Sequence, residues 1–205
     1  MTRITEDDGQ GVEMSKSRME AFSDGVIAVI ITIMVLEMKS PHGTDLAALR
    51  SLIPVFLSYV LSFVYVGIYW NNHHHLLHAA QHVGGGVMWA NLHLLFWLSL
   101  IPFATAWMGE NHLEPWPVAL YGVVLLFAGI AYVLLTKSLI AHHGRESRLA
   151  KSVGRDRKGI ASVTLYAIAV PLAFVQPWIA CFCYALVAVI WLVPDARIER
   201  TLAAS

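Results

Sequence analysis

Apolar residues run along this chain in blocks far longer than any amphipathic period, and charged residues are confined to the gaps between them. From Ser51 to Gly109 there is no Asp, Glu, Lys or Arg in 59 consecutive residues, and Pro115–Thr136 and Gly159–Pro194 are further charge-free runs of 22 and 36. A helix needs about 20 residues to cross roughly 30 Å of hydrocarbon, so uncharged runs of this length predict membrane spans. The first span is read from Arg18 to about Glu37, closed by the helix-stopping cluster Lys39-Ser40-Pro41-His42-Gly43. The longest run exceeds one helix and is interrupted by Gln81-His82-Val83-Gly84-Gly85-Gly86, which predicts span two over about Leu46–His75 and span three over about Val87–Met108. Span four covers about Trp116–Ile140. The last run divides at Gln176-Pro177 into span five, about Gly159–Val175, and span six, about Trp178–Val193.

The expected fold class is therefore all-α, a polytopic protein of the lipid bilayer with six transmembrane helices. Residues 1–17 read as a disordered cytoplasmic tail, 18–195 as one six-helix membrane domain and 196–205 as a second cytoplasmic tail. The polar start lacks the short apolar core of a cleavable signal peptide, so the first span is expected to stay as an anchor. Spans one to three and four to six share no motif, which argues against an internal repeat.

Composition and charge sharpen this picture. Of 205 residues 57% are hydrophobic and 14% charged, and the formal net charge is zero, which argues against an electrostatic nucleic-acid binder. With six spans both termini lie on one side. That side would collect Arg3, Lys16 and Arg18, seven basic residues between spans four and five, and Arg197 and Arg200; only Lys39 and Arg50 fall opposite. The positive-inside rule then makes both termini cytoplasmic, in a multi-pass protein of the cell membrane. Glu37, Asp45, Glu110 and Glu114 give the outer face an acidic character that would concentrate cations. Cys181 and Cys183 read as small apolar side chains in a bilayer helix, not as a disulfide or a zinc site.

Three segments carry candidate chemistry. The first is the head of span one, where Asp24 precedes twelve uncharged residues; an intramembrane carboxylate must find a partner or water. Beyond it Val29, Thr32, Ile33 and Leu36 recur at i, i+3, i+4 and i+7 and form one stripe. That stripe either packs against neighbouring helices, with Thr32 bonded to its own backbone, or lines an axis between several copies as apolar rings with one hydroxyl ring. The second segment is Tyr69-Trp70-Asn71-Asn72-His73-His74-His75-Leu76-Leu77-His78. His74 and His78 have metal-pair spacing, but no carboxylate lies within the same run, and the histidines equally suit donation to Ser23 and Asp24. The third holds Pro102, which removes a backbone donor; Ser99, Thr105 or a neighbouring helix is expected to satisfy the carbonyl freed near Leu98.

Arg18-x-x-x-Phe22-Ser23-Asp24-Gly25 opening the first span, with Trp70-x-x-His73-His74 and Leu100-Ile101-Pro102-Phe103, resembles the transmembrane protein 175 family of potassium channels. The resemblance runs over all six spans. It implies a homotetramer in which the first helix of each copy lines a central pore for monovalent cations, without a T-V-G-Y-G carbonyl filter and without a cofactor beyond the permeant potassium ions. It implies an apolar constriction at Val29, a selectivity position at Thr32 and a second apolar ring at Leu36, with Ile33 between them. Arg18, Phe22, Ser23 and Asp24 would join His73 and His74 in the network that fixes the pore helix. Family members usually carry Ile or Leu where this chain has Val29, which implies a wider pore and weaker preference for potassium over sodium. Two alternatives stand beside the channel: a proton-linked transporter relaying through Asp24 and the histidines at 73–78, and a membrane metalloenzyme using His74 and His78.

Overall fold

The computed structural model describes residues 16–41, 43–144, 147, 150 and 157–192, and every regular element among them is helical. The all-α expectation is met. In chain order the helices are α1 (Lys16–Leu36), α2 (Leu46–Ser51), α3 (Ile53–Ala79), α4 (Gly85–Ser99), α5 (Ile101–Glu110), α6 (Pro115–His143), α7 (Arg157–Leu172) and α8 (Pro177–Leu192). Four stretches are long and apolar enough to cross a membrane: α1, α3, α4 with α5, and α6. α7 and α8 are shorter apolar helices. Lys16 and Ser17, expected in the N-terminal tail, already belong to α1. The rest of that tail, the C-terminal tail and most of the basic loop after α6 lie outside the described residues.

Two expected single spans are each broken by a proline. Asp45 caps α2 by accepting the Ala48 N–H at 2.9 Å, and that helix ends at Leu52 because Pro54 has no N–H to continue the ladder. Span two therefore begins as a separate one-and-a-half-turn helix. Pro102 acts likewise between α4 and α5, where the Leu100 N–H turns back to the Trp97 carbonyl at 3.2 Å. Neither expected hydroxyl serves the Leu98 carbonyl. Ser99 Oγ donates to Phe96 O at 2.7 Å and Thr105 Oγ1 to Ile101 O at 2.7 Å.

α6 is the centre of the bundle, packed against α4, α5, α7 and α8, while α1 leans on one side against α3, α4 and α5. The interior behind α6 is held by directed hydroxyls. Thr105 gives its proton to Ile101, so Ser62 donates to Thr105 at 2.6 Å and Tyr121 donates to Ser62 at 3.0 Å. Tyr166 donates to Tyr65 at 3.2 Å, Tyr65 to the Tyr184 carbonyl at 2.5 Å, and Tyr184 to the Val118 carbonyl at 3.2 Å. Satisfying each buried hydroxyl inside the protein is what lets polar side chains sit in a span. Gly122 is where α6 meets Tyr184, since a Cβ there would land on the Tyr184 phenol. At the end of the bundle expected to face outward Lys39 and Glu110 pair at 3.0 Å, so two of the four carboxylates expected to make that face acidic, Glu110 and the capping Asp45, are engaged.

A candidate pore helix and its anchor

α1 has two faces with different fates. Met19, Ser23, Ile27, Ile30 and Met34, spaced at three or four residues, are buried against the chain's own helices. Opposite them Phe22, Val29, Thr32, Ile33 and Leu36 are exposed, Val29 at 54% and Leu36 at 78%. The stripe singled out by spacing is thus an apolar face that its own chain leaves uncovered. A groove of about 860 Å³ runs beside it between α1 and α5, walled by Phe22, Val29 and Ile33 on one side and Pro102, Phe103 and Trp107 on the other. Thr32 donates its hydroxyl to the Val29 carbonyl at 2.8 Å. Its proton is therefore turned inward to the backbone.

The start of α1 is fixed by two polar constructions. In the buried one, Ser23 Oγ donates to Met19 O at 2.8 Å, Asn91 Nδ2 donates to Ser23 Oγ at 2.9 Å, and His73 Nε2 meets Asn91 Oδ1 at 2.7 Å. Because the Asn91 amide nitrogen is spent on Ser23, its oxygen is the acceptor and His73 carries its proton on Nε2. His73 is 1% exposed and its Nδ1 has no hydrogen-bond partner. Asn91, on α4, is the link between Ser23 and the span-two histidine that spacing did not reveal.

The second construction is a ladder. Asp24 Oδ1 accepts the Trp70 indole N–H at 3.0 Å, Glu20 Oε1 meets His74 Nδ1 at 3.1 Å, and Lys16 Nζ donates to the His78 carbonyl at 3.3 Å. Positions 16, 20 and 24 on α1 face 78, 74 and 70 on α3, which is the register of two antiparallel helices matched turn by turn. The α3 rings form a column, with Trp70 and His74 stacked at 6.3 Å and His74 and His78 at 6.1 Å between centroids. Asp24 thus meets the Trp70 indole where a histidine was expected. Arg18 is exposed and joins none of these bonds, since it lies five residues before Ser23, about 140° round the helix. Phe22 stands on the exposed stripe. Glu20 and Lys16 were not singled out from the sequence, although their four-residue spacing against Trp70, His74 and His78 was there to be matched.

Among the described residues no three His, Cys, Asp or Glu side chains converge to hold an ion, and His74 is instead paired with Glu20. Cys181 and Cys183 are free and half-buried.

Residues 18–102, which contain all but the first two residues of α1, two of the three ladder rungs and the proline break in span three, match the family model "Endosomal/lysosomal potassium channel TMEM175". The chain is 51% identical over 189 residues to "Potassium channel HX13_20290" of Chryseobacterium sp. (strain P1-3), covering 92% of this chain and 98% of that one. Its fold superposes with a TM-score of 0.76 and 26% identity on a crystal structure of a lysosomal potassium-selective channel TMEM175 homolog from Chamaesiphon minutus, covering 87% of this chain and 96% of that one. It is also 29% identical to "Endosomal/lysosomal proton channel TMEM175" of Mus musculus, where 78% of this chain matches 36% of a much longer protein. With an anchored first helix, a membrane-length all-helical bundle and near-complete coverage of a relative at this identity, the chain belongs to the TMEM175 family.

Proposed function

We propose that the protein is a potassium-permeable cation channel of the cell membrane, a homotetramer whose four copies of α1 surround the pore. One observation carries this reading: the face of α1 holding Val29, Thr32, Ile33 and Leu36 is left uncovered by the chain itself, while the opposite face is packed. Four such faces about an axis make apolar rings at Val29 and Leu36, narrow enough to resist wetting, with hydroxyls between. Since each Thr32 proton is bonded to Val29 O, the hydroxyl oxygen presents lone pairs to the axis, the polarity that favours a partly dehydrated cation. Potassium is the permeant ion that the bacterial relatives' names supply. The six-span topology with cytoplasmic termini belongs to the same proposal, as does the absence of a resident cofactor. The family is one of channels, not enzymes, which sets the metalloenzyme aside. The relay alternative is weakened because Asp24 is bonded to an indole N–H, which does not pass protons at physiological pH.

The test is potassium flux into proteoliposomes. Wild type carries potassium in preference to sodium, and Thr32→Ala lowers that preference. Leu36→Ala raises basal flux roughly tenfold, the change expected from removing about 1.4 kcal/mol of barrier. Flux indifferent to both substitutions would take α1 off the pore axis.

A further inference from the structure

Among the three rungs between α1 and α3, only the middle one pairs two ionisable side chains. Asp24 meets an indole N–H and Lys16 meets a backbone carbonyl. Glu20 meets an imidazole at 3.1 Å. The Nδ1 of His74 carries the proton that faces Glu20 Oε1, so a second proton goes to Nε2. It turns a hydrogen bond into an ion pair without moving either side chain.

The surroundings suit a charged His74. On α1 it is bracketed by Asp24 and Lys16, one turn either side of Glu20, so carboxylates outnumber the ammonium. On α3 it touches the ring column of Trp70 and His78, His75 lies edge-on at 5.7 Å, and His73 is buried beside it against Asn91 of α4, a neutral side chain. Within the single chain the pair is only partly covered, Glu20 a quarter exposed and His74 nearly half.

We infer that Glu20 and His74 are a protonation-dependent positioning pair, in which proton binding on the face where α1 begins tightens α3 on α1 and lowers potassium flux. The inference rests on reading α1 as the pore helix. Its attraction is fully present when His74 is protonated and weakens when the ring gives up its second proton. A firmer hold on the head of α1 keeps the stripe that it carries at its narrow setting. Solvent screens a pair this exposed, so the effect is modest.

The experiment compares potassium flux in proteoliposomes at about pH 7.5 and about pH 5.5, equal on both sides, for wild type, Glu20→Gln, His74→Gln, the double variant and His74→Lys. Wild-type flux should fall at least about twofold on acidification, the scale of a partly exposed ion pair. Either single variant should remove that part of the fall, and the double variant should remove no more. His74→Lys, charged at both values, should hold flux at the acid level throughout. An identical pH response in all five proteins overturns the inference, as does a double variant whose effect is the sum of the singles.

Thermal melting of the same purified proteins judges the pair without conduction. Acidification should raise the wild-type midpoint by about 1–2 °C more than that of either single variant, and an equal shift overturns the pairing. If wild type carries no flux the channel reading fails, while the melting comparison still decides the pair.

Discussion

α1 and α6 are both membrane-length apolar helices, yet about half of the apolar stretch of α6 is buried within the chain against little more than a quarter of that of α1. α6 is surrounded by α4, α5, α7 and α8, and even its hydroxyl-bearing Tyr121 is fully enclosed. α1 spends one face on α3, α4 and α5 and presents the other outward. On the proposed reading, the difference separates scaffold from working surface. A change in α6 should register as stability, and a change on the outward face of α1 as ion flux.

The sharpest test of the scaffold side is Gly122→Ala. The added methyl would occupy the place of the Tyr184 hydroxyl, a side chain with no exposed surface, and would also press Val170 Cγ2 at 3.0 Å. Tyr184 would have to swing away from the Val118 carbonyl that it now bonds. Overpacking together with a lost buried hydrogen bond should cost about 3 kcal/mol, or roughly 10 °C in melting midpoint for a chain of this size. Adding Tyr184→Phe, which removes the clashing oxygen, should restore part of the loss. A tolerated Gly122→Ala would mean that α6 is not packed as described. What the folded fraction carries should keep its ion preference.

The anchor of α1 joins the two regions, and its key residue is on neither helix. Asn91 of α4 holds both Ser23 and His73 in full burial. Asn91→Ala would leave a serine hydroxyl short of a donor and an imidazole N–H short of an acceptor, at a cost of about 2 kcal/mol. In a double-mutant cycle with Ser23→Ala the losses should fall short of additive, because the second change removes a partner already orphaned. Additive losses would deny the link. Unlike Gly122→Ala, this variant should also disturb flux, since it loosens the head of α1.

These regions differ in how readable they were. The four membrane-length stretches were legible because a charge-free run repeats its signal over about twenty positions, and one proline cannot hide it. The breaks at Leu52 and Leu100 were harder, since a proline inside an apolar run is compatible with a kink, a break or a new helix until its neighbours choose. The stripe on α1 was legible as a period but not as a surface. Met19, Ile27, Ile30 and Met34 make the opposite face equally apolar, so hydropathy could not say which face the chain would cover. Glu20 escaped notice for a related reason. A carboxylate in the second turn of a helix reads as solvation unless its partner helix is known to run antiparallel in register. Asn91 needed a third helix, which no local pattern supplies.

The smallest expected effect on stability is the finest probe of the working face. Val29 is more than half exposed, and Val29→Ile adds one methyl group pointing away from the bundle. Nothing in the chain's own interior has to move, so stability should stay within about 0.5 kcal/mol of wild type. On the proposed tetrameric reading, four added methyls around the axis would nonetheless narrow the first apolar ring and raise the cost of carrying water through it. The ratio of potassium to sodium flux should rise while the melting midpoint stays put. A ratio unchanged beside an altered one for Thr32→Ala would shift the narrow zone outward along α1, toward Thr32 and Leu36. A midpoint that fell by several degrees would mean that Val29 is packed against a neighbouring copy, and the working face would then begin one turn further along the helix.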